Sequence, residues 1–250
     1  MKKNKRIRRT LHAHVAAMRP DIEDPVASIS AGLVRVNGSI VTNPASLVRT
    51  DASIVVVDPT PLRGETKLSA AIAAFEVKVA DRVALDVGAA AGGFTRALLS
   101  AGARRVYAVE VGYGQLLGSL RQDPRVVNLE ATNIAALNRE LVPDVLELIT
   151  LDLSYLSVAT AIRQLKGLAI SERADLIALV KPMFELSLST APSDRASLER
   201  ALSHAAAGVA SEGWEVLAHI DSPVRGSRGA VELFLHARYR FPVPLARTLK

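Results

Sequence analysis

The stretch that most constrains the fold runs from Val83 to Glu110 and reads VALDVGAAAGGFTRALLSAGARRVYAVE. It contains, in this order, an apolar run, a glycine-containing turn, apolar residues at helical spacing and a second apolar run. The two runs end beside acids, Asp86 and Glu110. This order predicts one βαβ unit of a parallel sheet. Such a unit binds a nucleotide-like ligand at the end of its first strand, where Glu110 can accept hydrogen bonds from ribose hydroxyls.

The glycine turn excludes a dinucleotide fingerprint, because G-x-G-x-x-G needs a glycine where this chain has Ala90. Helix–strand packing is another explanation for the glycines. The pattern D-x-G-x-x-x-G-G-F resembles the S-adenosylmethionine loop of the FtsJ-type RNA methyltransferases, and an acid two residues before the first glycine suits a cationic ligand. The resemblance implies a cofactor site that contains Asp86, Gly88, Gly92, Gly93 and Phe94.

Composition narrows the classes of protein that the chain can belong to. Of its 250 residues, 49% are hydrophobic and 22% are charged, so we expect a folded core in one large or two smaller domains. The absence of cysteine excludes disulfides, cysteine-ligated zinc and thiol catalysis, and the five scattered histidines predict no metal site. No apolar run approaches the ~20 residues that cross a bilayer. We therefore expect a cytoplasmic protein without stable membrane association.

Positive charge is concentrated at the front of the chain. Residues 1–60 carry nine lysines and arginines against five acids, whereas residues 61–250 carry 22 against 20. A basic front end on a nearly neutral body indicates a polyanionic partner. A solubilising tail would produce the same imbalance, so charge alone leaves both interpretations open.

The basic front end has the pattern of a small α+β domain. The predicted elements are helices at Arg6–Arg19 and Val26–Ala31, strands at Leu33–Val36, Ile40–Val41 and Ser53–Val57, and a tight turn at Asn37–Gly38. The stretch AGLVRVNG-x-x-V-x-x-P resembles the alpha-L RNA-binding motif. This resemblance implies that residues 1–58 bind structured RNA through its phosphates and shape. The candidate RNA-binding residues are Lys5, Arg6, Arg8, Arg9, Arg35 and Arg49.

The rest of the chain alternates strands with helices. Residues 59–66 are predicted to be a proline-containing linker, and residues 67–250 a second domain. Further helices are predicted at Lys67–Phe75, Gln115–Leu120, Ser157–Leu168 and Ser193–Ala210, the last with Ser193 as N-cap, and further strands at Val126–Leu129, Leu146–Leu151, Asp175–Val180, Trp214–Ile220 and Val231–Tyr239. The alternation predicts an α/β fold with a doubly wound, mostly parallel, Rossmann-like sheet. The last two strands have no helix between them, which predicts an antiparallel last strand.

Charged residues fall where the predicted parallel strands end. Asp86, Glu110, Asp152 and Lys181 occupy carboxyl ends, the edge at which sites collect in this architecture. Lys181 ends an apolar run and precedes Pro182. Its side chain either points into the crevice or extends to solvent.

Four motifs together make a more specific resemblance. They are R-G-x-x-K-L with Lys67, L-D-L-S-Y-L-S with Asp152, L-V-K-P-M-F-E with Lys181 and V-E-L-F-L with Glu232. They resemble the Lys–Asp–Lys–Glu tetrad of FtsJ-type ribose 2′-O-methyltransferases. With the alpha-L motif in front, the whole chain resembles the TlyA family, which is sometimes labelled hemolysin.

The four residues of this tetrad suit base catalysis on a ribose hydroxyl. Lysine has a reference pKa of about 10.4. Desolvation or a nearby second cation lowers the pKa of a lysine towards the range of a general base, and Lys67 would supply such a cation to Lys181. Asp152 is expected to hold Lys181, and Glu232 to fix Lys67. The family implies in-line methyl transfer, with much of the rate coming from alignment.

These resemblances predict an S-adenosylmethionine-dependent enzyme that methylates a ribose 2′-hydroxyl of ribosomal RNA, with cytidine as the family precedent and no metal. Asn133 either touches the cofactor adenine or serves as a turn residue. The chain departs from the usual motifs of the family at Glu65, Met183, the neutral loop Leu186–Pro192 and Ala230. These departures bear on RNA docking more than on cofactor binding. The alternatives are a non-catalytic RNA-binding or ribosome assembly factor and, on the label alone, a membrane-lytic hemolysin.

Overall fold

The computed structural model describes residues 8–57 and 61–240. The chain divides into two compact units, and the boundary lies between Pro61 and Leu62. Two candidate RNA-binding residues, Lys5 and Arg6, lie outside the described ranges.

The smaller unit consists of short elements around a small core. Its helices are α1 (Leu11–Met18) and α2 (Pro25–Ser30), and its strands are β1 (Arg8–Thr10), β2 (Val34–Val36), β3 (Ser39–Ile40), β4 (Leu47–Arg49) and β5 (Ile54–Val56). Strand β1 pairs with β4, and β2 lies between β3 and β5, all antiparallel. The core contains Leu11, Val15, Ile29, Val34 and Val48. The Asn37–Gly38 turn joins β2 to β3 with both residues at positive φ, as the sequence predicts.

The first helix begins later than the sequence predicts. Arg8 and Arg9 belong to β1, because they pair in register with Arg49 and Val48 of β4. Strand β4 was not predicted, since three residues are too few for an alternation to be recognised. Both errors have one cause, namely that a strand is defined by a partner distant in the sequence.

The larger unit is built on a seven-stranded sheet. Its strands are β6 (Val83–Val87), β7 (Arg105–Val109), β8 (Val126–Leu129), β9 (Leu146–Leu151), β10 (Ile170–Val180), β11 (Trp214–Asp221) and β12 (Leu233–Tyr239), in the spatial order β11-β12-β10-β9-β6-β7-β8. Neighbours from β10 to β8 are parallel, whereas β12 is antiparallel to both β10 and β11. This confirms the predicted mostly parallel sheet with an antiparallel last strand.

Six helices accompany this sheet in the described part of the larger unit. They are α3 (Arg63–Ala74), α4 (Gly93–Ser100), α5 (Gly118–Arg121), α6 (Val158–Arg163), α7 (Pro182–Glu185) and α8 (Arg195–Ser211). Helix α3 begins four residues earlier than predicted, because Glu65 accepts a hydrogen bond from Leu62 N at 3.2 Å and closes the first turn. Helix α8 is capped by Asp194 rather than by Ser193, since the Asp194 carboxylate accepts from the backbone of the first turn.

Apolar side chains cover both faces of the sheet. All five residues of β6 are buried, as expected for a central strand of a parallel sheet. Helices α6 and α8 pack on one face, and α3 and α4 on the other. Strand β7 lies beside β6 on one edge, and β9, which comes later in the chain, lies beside β6 on its other edge. The crevice at the carboxyl ends of β6 and β9 is therefore a topological switch point, where ligands bind in such folds.

Candidate active site

Two cavities open at the carboxyl ends of the parallel strands. The glycine-turn cavity, lined by Gly88, Glu110 and neighbouring residues, has a volume of about 250 Å³. The lysine cleft, lined by Lys67, Lys181 and neighbouring residues, has a volume of about 730 Å³. Asp152 and Ser154 line both cavities, so the two cavities share a wall.

Gly88 carries the chain from β6 into the wall of the glycine-turn cavity. Its φ is +89°, a left-handed value that favours glycine. A Cβ atom at this position would lie 2.3 Å from the backbone oxygen of Asp152. Any larger residue would therefore displace the wall that the two cavities share.

Glu110 joins the two loops that frame the glycine-turn cavity. Its Oε2 accepts a hydrogen bond from Ala90 N at 2.9 Å, and its Oε1 accepts one from Gly112 N at 2.8 Å. The side chain is largely buried but lines the cavity. Since each carboxylate oxygen has a second lone pair, Glu110 retains the capacity to accept hydrogen bonds from ribose hydroxyls.

Asp86 does not reach the cavity that the sequence predicts it to line. It is fully buried, and its carboxylate accepts hydrogen bonds from Thr95 Oγ1 at 2.7 Å and from Thr150 Oγ1 at 3.0 Å. Burial raises the pKa of Asp86 to about 7, although both hydroxyls act in the opposite direction. Asp86 therefore ties β6 to α4 and β9 and does not offer a carboxylate to a ligand.

The second half of the glycine turn packs against helices. A Cβ atom at Gly92 would lie 2.1 Å from Leu120 Cδ1, and one at Gly93 would lie 2.8 Å from Gly64 Cα. Phe94 is buried in the core between the sheet and helices α3 and α4. None of these three is among the described residues that line the cavity. Packing against neighbouring helices and strands, the alternative that the sequence left open, accounts for the presence of all three residues at these positions.

Asn133 is a turn residue in this structure. Its Oδ1 accepts a hydrogen bond from Ala135 N at 2.9 Å and caps a short 3₁₀ turn. The neighbours Thr132 and Ile134 line the glycine-turn cavity instead. The sequence left these two roles for Asn133 open, and the hydrogen bond favours the turn.

Lys67 and Glu232 form a buried ion pair in the wall of the lysine cleft. The distance from Nζ to Oε2 is 2.5 Å, and the side chains are 8% and 6% exposed. Because a buried charge needs a partner, each side chain fixes the other. Glu232 also neutralises Lys67, which weakens the repulsion that Lys67 was expected to exert on Lys181.

Lys181 extends from the end of β10 to the loop that follows β9. Its Nζ lies 2.6 Å from Oδ1 of Asp152, an ion pair that lacks hydrogen-bond alignment. The same Nζ donates a hydrogen bond to Ser154 Oγ at 2.9 Å. The side chain lines the cleft and is 15% exposed, so it does not extend to solvent.

The structure thus gathers the whole tetrad of Lys67, Asp152, Lys181 and Glu232 at one cleft. Asp152 and Ser154 also belong to the glycine-turn cavity, so a ligand there would face a ligand in the cleft across these two residues. An amine held at such a junction can share the proton of a hydroxyl while an electrophile is aligned with the oxygen.

Three further residues of this site were not singled out from the sequence. Ser154 fixes Lys181, while Tyr155 and Thr132 line the glycine-turn cavity. Ser154 and Tyr155 follow Asp152 directly after the end of β9, and this position at a strand end was the signal that could have identified them.

The candidate RNA-binding arginines of the smaller unit differ in their surroundings. Arg8, Arg9 and Arg35 are exposed. Arg49 donates from Nε to Asp51 Oδ1 at 2.7 Å, so a carboxylate already offsets its charge. Arg49 also faces Arg8 across the β1–β4 pair.

Comparison with known proteins identifies the class. Residues 62–239 match the family model described as FtsJ-like methyltransferase, and the larger unit is a methyltransferase of the Rossmann-like type. The chain belongs to the TlyA family of FtsJ-like methyltransferases. It is 40% identical over 222 residues to the 16S/23S rRNA (cytidine-2′-O)-methyltransferase TlyA of Mycobacterium tuberculosis, a match that covers 84% of this chain and 81% of the relative.

Two further proteins that the chain resembles are described as hemolysins. Hemolysin A of Brachyspira hyodysenteriae is 33% identical, over 83% of this chain and 90% of the relative. A solved structure from Streptococcus thermophilus, described as a candidate hemolysin, has a TM-score of 0.68 at 26% identity and covers 96% of this chain and 93% of its own. Within residues 8–57 and 61–240, no helix is long and apolar enough to cross a membrane. The family membership and the enzyme class inferred from the motifs are confirmed.

Proposed function

We propose that this chain transfers a methyl group from S-adenosylmethionine to a ribose 2′-hydroxyl of ribosomal RNA, in the cytoplasm and with cytidine as the target nucleoside. The observation that carries the proposal is the position of Lys181 beside Asp152 and Ser154, the wall shared by the two cavities. The name of the Mycobacterium tuberculosis relative supports the same reaction and substrate.

The glycine-turn cavity fits S-adenosylmethionine chemically. Glu110 offers lone pairs to ribose hydroxyls, and Gly88 contributes no side chain to the lining of the cavity. Asp152 places a carboxylate at the wall towards the lysine cleft, where a sulfonium cation would be stabilised. When bound, the cofactor supplies an electrophilic methyl group.

In the lysine cleft, Lys181 would accept or share the proton of the 2′-hydroxyl, so that the oxygen could attack the electrophilic methyl group that the cofactor would supply. Ser154 and Asp152 fix the position of Nζ, so the amine and the hydroxyl are held in one geometry. The buried pair of Lys67 and Glu232 keeps α3 against the segment that leads into β12, and so maintains the wall of the cleft opposite Lys181.

The experiment measures methyl incorporation from labelled S-adenosylmethionine into ribosomal subunits purified from a strain that lacks the gene. Lys181→Ala should reduce the rate at least about 100-fold, because general-base catalysis is worth 10²–10⁴-fold. Lys166→Ala is the matched control, since Lys166 is a surface lysine whose side chain is 69% exposed, and it should behave as wild type. Tight binding of subunits by the wild-type protein without any incorporation would instead support a non-catalytic assembly factor.

The target nucleoside is tested separately. Mass spectrometry of nucleosides from the methylated RNA should find 2′-O-methylcytidine. A different 2′-O-methylated nucleoside would contradict the assignment to cytidine and leave the reaction in place, whereas a base-methylated product would contradict both.

The smaller unit is proposed to bind RNA through exposed arginines. Arg9→Gln and Arg35→Gln should each weaken binding of ribosomal subunits, because each loses an exposed cation. Arg49→Gln should have a smaller effect, because Asp51 already offsets the charge of Arg49. Filter binding at fixed salt measures the three affinities, and an equal or larger loss for Arg49→Gln would contradict this ranking.

A further inference from the structure

The charges that line the lysine cleft do not cancel. The four tetrad residues form two ion pairs. Arg63 and Arg228 also line the cleft, and in the described ranges neither is paired with a carboxylate. The cleft therefore has an excess of positive charge beside the proposed reaction centre.

Arg63 is used to hold the loop that carries Arg228. Its Nη2 donates to Gly226 O at 3.1 Å and also to the carbonyl oxygen of Arg225. Within the loop, Gly226 N donates to Ala230 O at 2.8 Å. These bonds fix the loop as one wall of the cleft, so the guanidinium of Arg228 is presented from an ordered backbone.

Arg228 itself adopts an unfavourable backbone conformation. Its φ and ψ are 54° and 28°, in the left-handed region that non-glycine residues rarely occupy. Its side chain is exposed and makes no hydrogen bond with any described residue that would compensate for the strain. Such conformations are enriched at functional sites, and this one lies in the wall of the lysine cleft.

We propose that Arg228 binds the phosphodiester group adjacent to the ribose that enters the lysine cleft. This inference rests on the proposed function, which places a ribose 2′-hydroxyl at Lys181. Every internal RNA nucleotide has a phosphate on its 3′-oxygen, and the 3′-carbon is next to the carbon that carries the 2′-hydroxyl, so an anion accompanies the target into the cleft. A guanidinium binds two phosphate oxygens through parallel N–H donors, which orients the nucleotide as well as attracting it.

The test compares Arg228→Gln with Arg225→Gln in the full-length protein. Arg225 is an exposed arginine of the same loop that does not line the cleft, so the two variants make the same change of charge. Binding of ribosomal subunits from a strain lacking the gene is measured by filter binding across a series of KCl concentrations. The melting temperature and the affinity for S-adenosylhomocysteine are measured alongside, and neither should change.

For Arg228→Gln we expect about tenfold weaker binding and a log–log salt slope that is smaller by about 0.7–0.9, the value of one phosphate contact. Arg225→Gln should keep the wild-type slope, and Arg228→Lys should recover the slope because the charge is restored. Equal slopes for Arg228→Gln and Arg225→Gln would overturn the proposal. Weaker binding without a change of slope would also overturn it, since that result indicates a contact to a base or to sugar.

The result for the Arg228 phosphate contact can be distinguished from the result for the proposed methyl transfer. Binding is measured without S-adenosylmethionine, so the salt slope reports on Arg228 even if no methyl group is transferred. Conversely, normal methyl transfer by wild-type protein together with an unchanged slope for Arg228→Gln would retain the enzyme and remove the phosphate contact.

Discussion

At the scale of single residues, the charged groups of the lysine cleft form two pairs of different burial. Lys67 and Glu232 are almost inaccessible, whereas Asp152 and Lys181 are 23% and 15% exposed. A buried pair contributes mainly to structure, because neither charge can be left alone without a large desolvation penalty. The more exposed pair remains available to a ligand.

The buried pair leads to a prediction about stability. Lys67→Met leaves the Glu232 carboxylate without a partner and should lower the free energy of unfolding by about 3–5 kcal/mol. The double variant Lys67→Met/Glu232→Gln should recover most of this loss, because no buried charge remains. Urea unfolding followed by circular dichroism measures both, and a double variant no more stable than the single one would contradict the argument.

Asp86 leads to a prediction about pH. Its pKa is raised by burial from 3.8 to about 7, so the folded protein retains a proton that the unfolded chain loses. The stabilising effect of the neutral carboxyl is complete below pH ~4 and is lost as the pH rises through about 7. Asp86→Asn should therefore flatten the fall in unfolding free energy between pH 5 and pH 8. Parallel pH dependences for the two proteins in urea unfolding would disprove this assignment.

At the scale of elements, the contact between α3 and α4 positions Lys67. Gly64 of α3 lies against Gly93 of α4, and Arg96 of α4 donates to Glu65 Oε2 at 2.6 Å. Glu65 is one of the departures from the family pattern, and here it joins the two helices and closes the first turn of α3. Lys67 follows within the next turn of α3, so a shift of this helix would move one member of the tetrad.

The helix contact can be tested with matched glycine substitutions. Gly93→Ala should lower stability by about 1–3 kcal/mol and reduce methyl transfer, because its Cβ would lie 2.8 Å from Gly64 Cα and force the helices apart. Gly118→Ala is the control, since a Cβ there meets nothing within 4 Å. It should be neutral or stabilise α5 by up to about 1 kcal/mol. Thermal unfolding and initial rates measure both, and equal behaviour of the two variants would refute the close-contact argument.

At the scale of the whole molecule, ligand binding should be visible in the stability of the chain. S-adenosylhomocysteine at 100 times its Kd should raise the free energy of unfolding by about 2.7 kcal/mol. Hydrogen exchange should slow at the amides of Ala90 and Gly112, whose partner Glu110 lines the glycine-turn cavity. Gly88→Ala should abolish both effects, because its Cβ would displace Asp152, whereas Gly118→Ala should retain them. Exchange unchanged by the ligand at both amides would place its binding site elsewhere.

Much of the fold could be predicted from the sequence because its signals are local. The stretch Val83–Glu110 produces β6, α4 and β7 as predicted, and strands β8 and β9 have the predicted bounds. A run of apolar residues and a glycine turn depend on nearby residues only, so periodicity identifies them. The same reasoning failed for β1 and β4, whose hydrogen bonds join segments about 40 residues apart.

The sequence by itself determined the order of elements, the family resemblance and the types of charged residues at the strand ends. Only the tertiary structure decided how those residues are used. It paired Lys67 with Glu232, turned Lys181 towards Ser154, and buried Asp86 away from the cavity. The physical reason is that pairing and burial depend on atoms brought together from distant parts of the chain, and neither periodicity nor spacing within one segment records those distances.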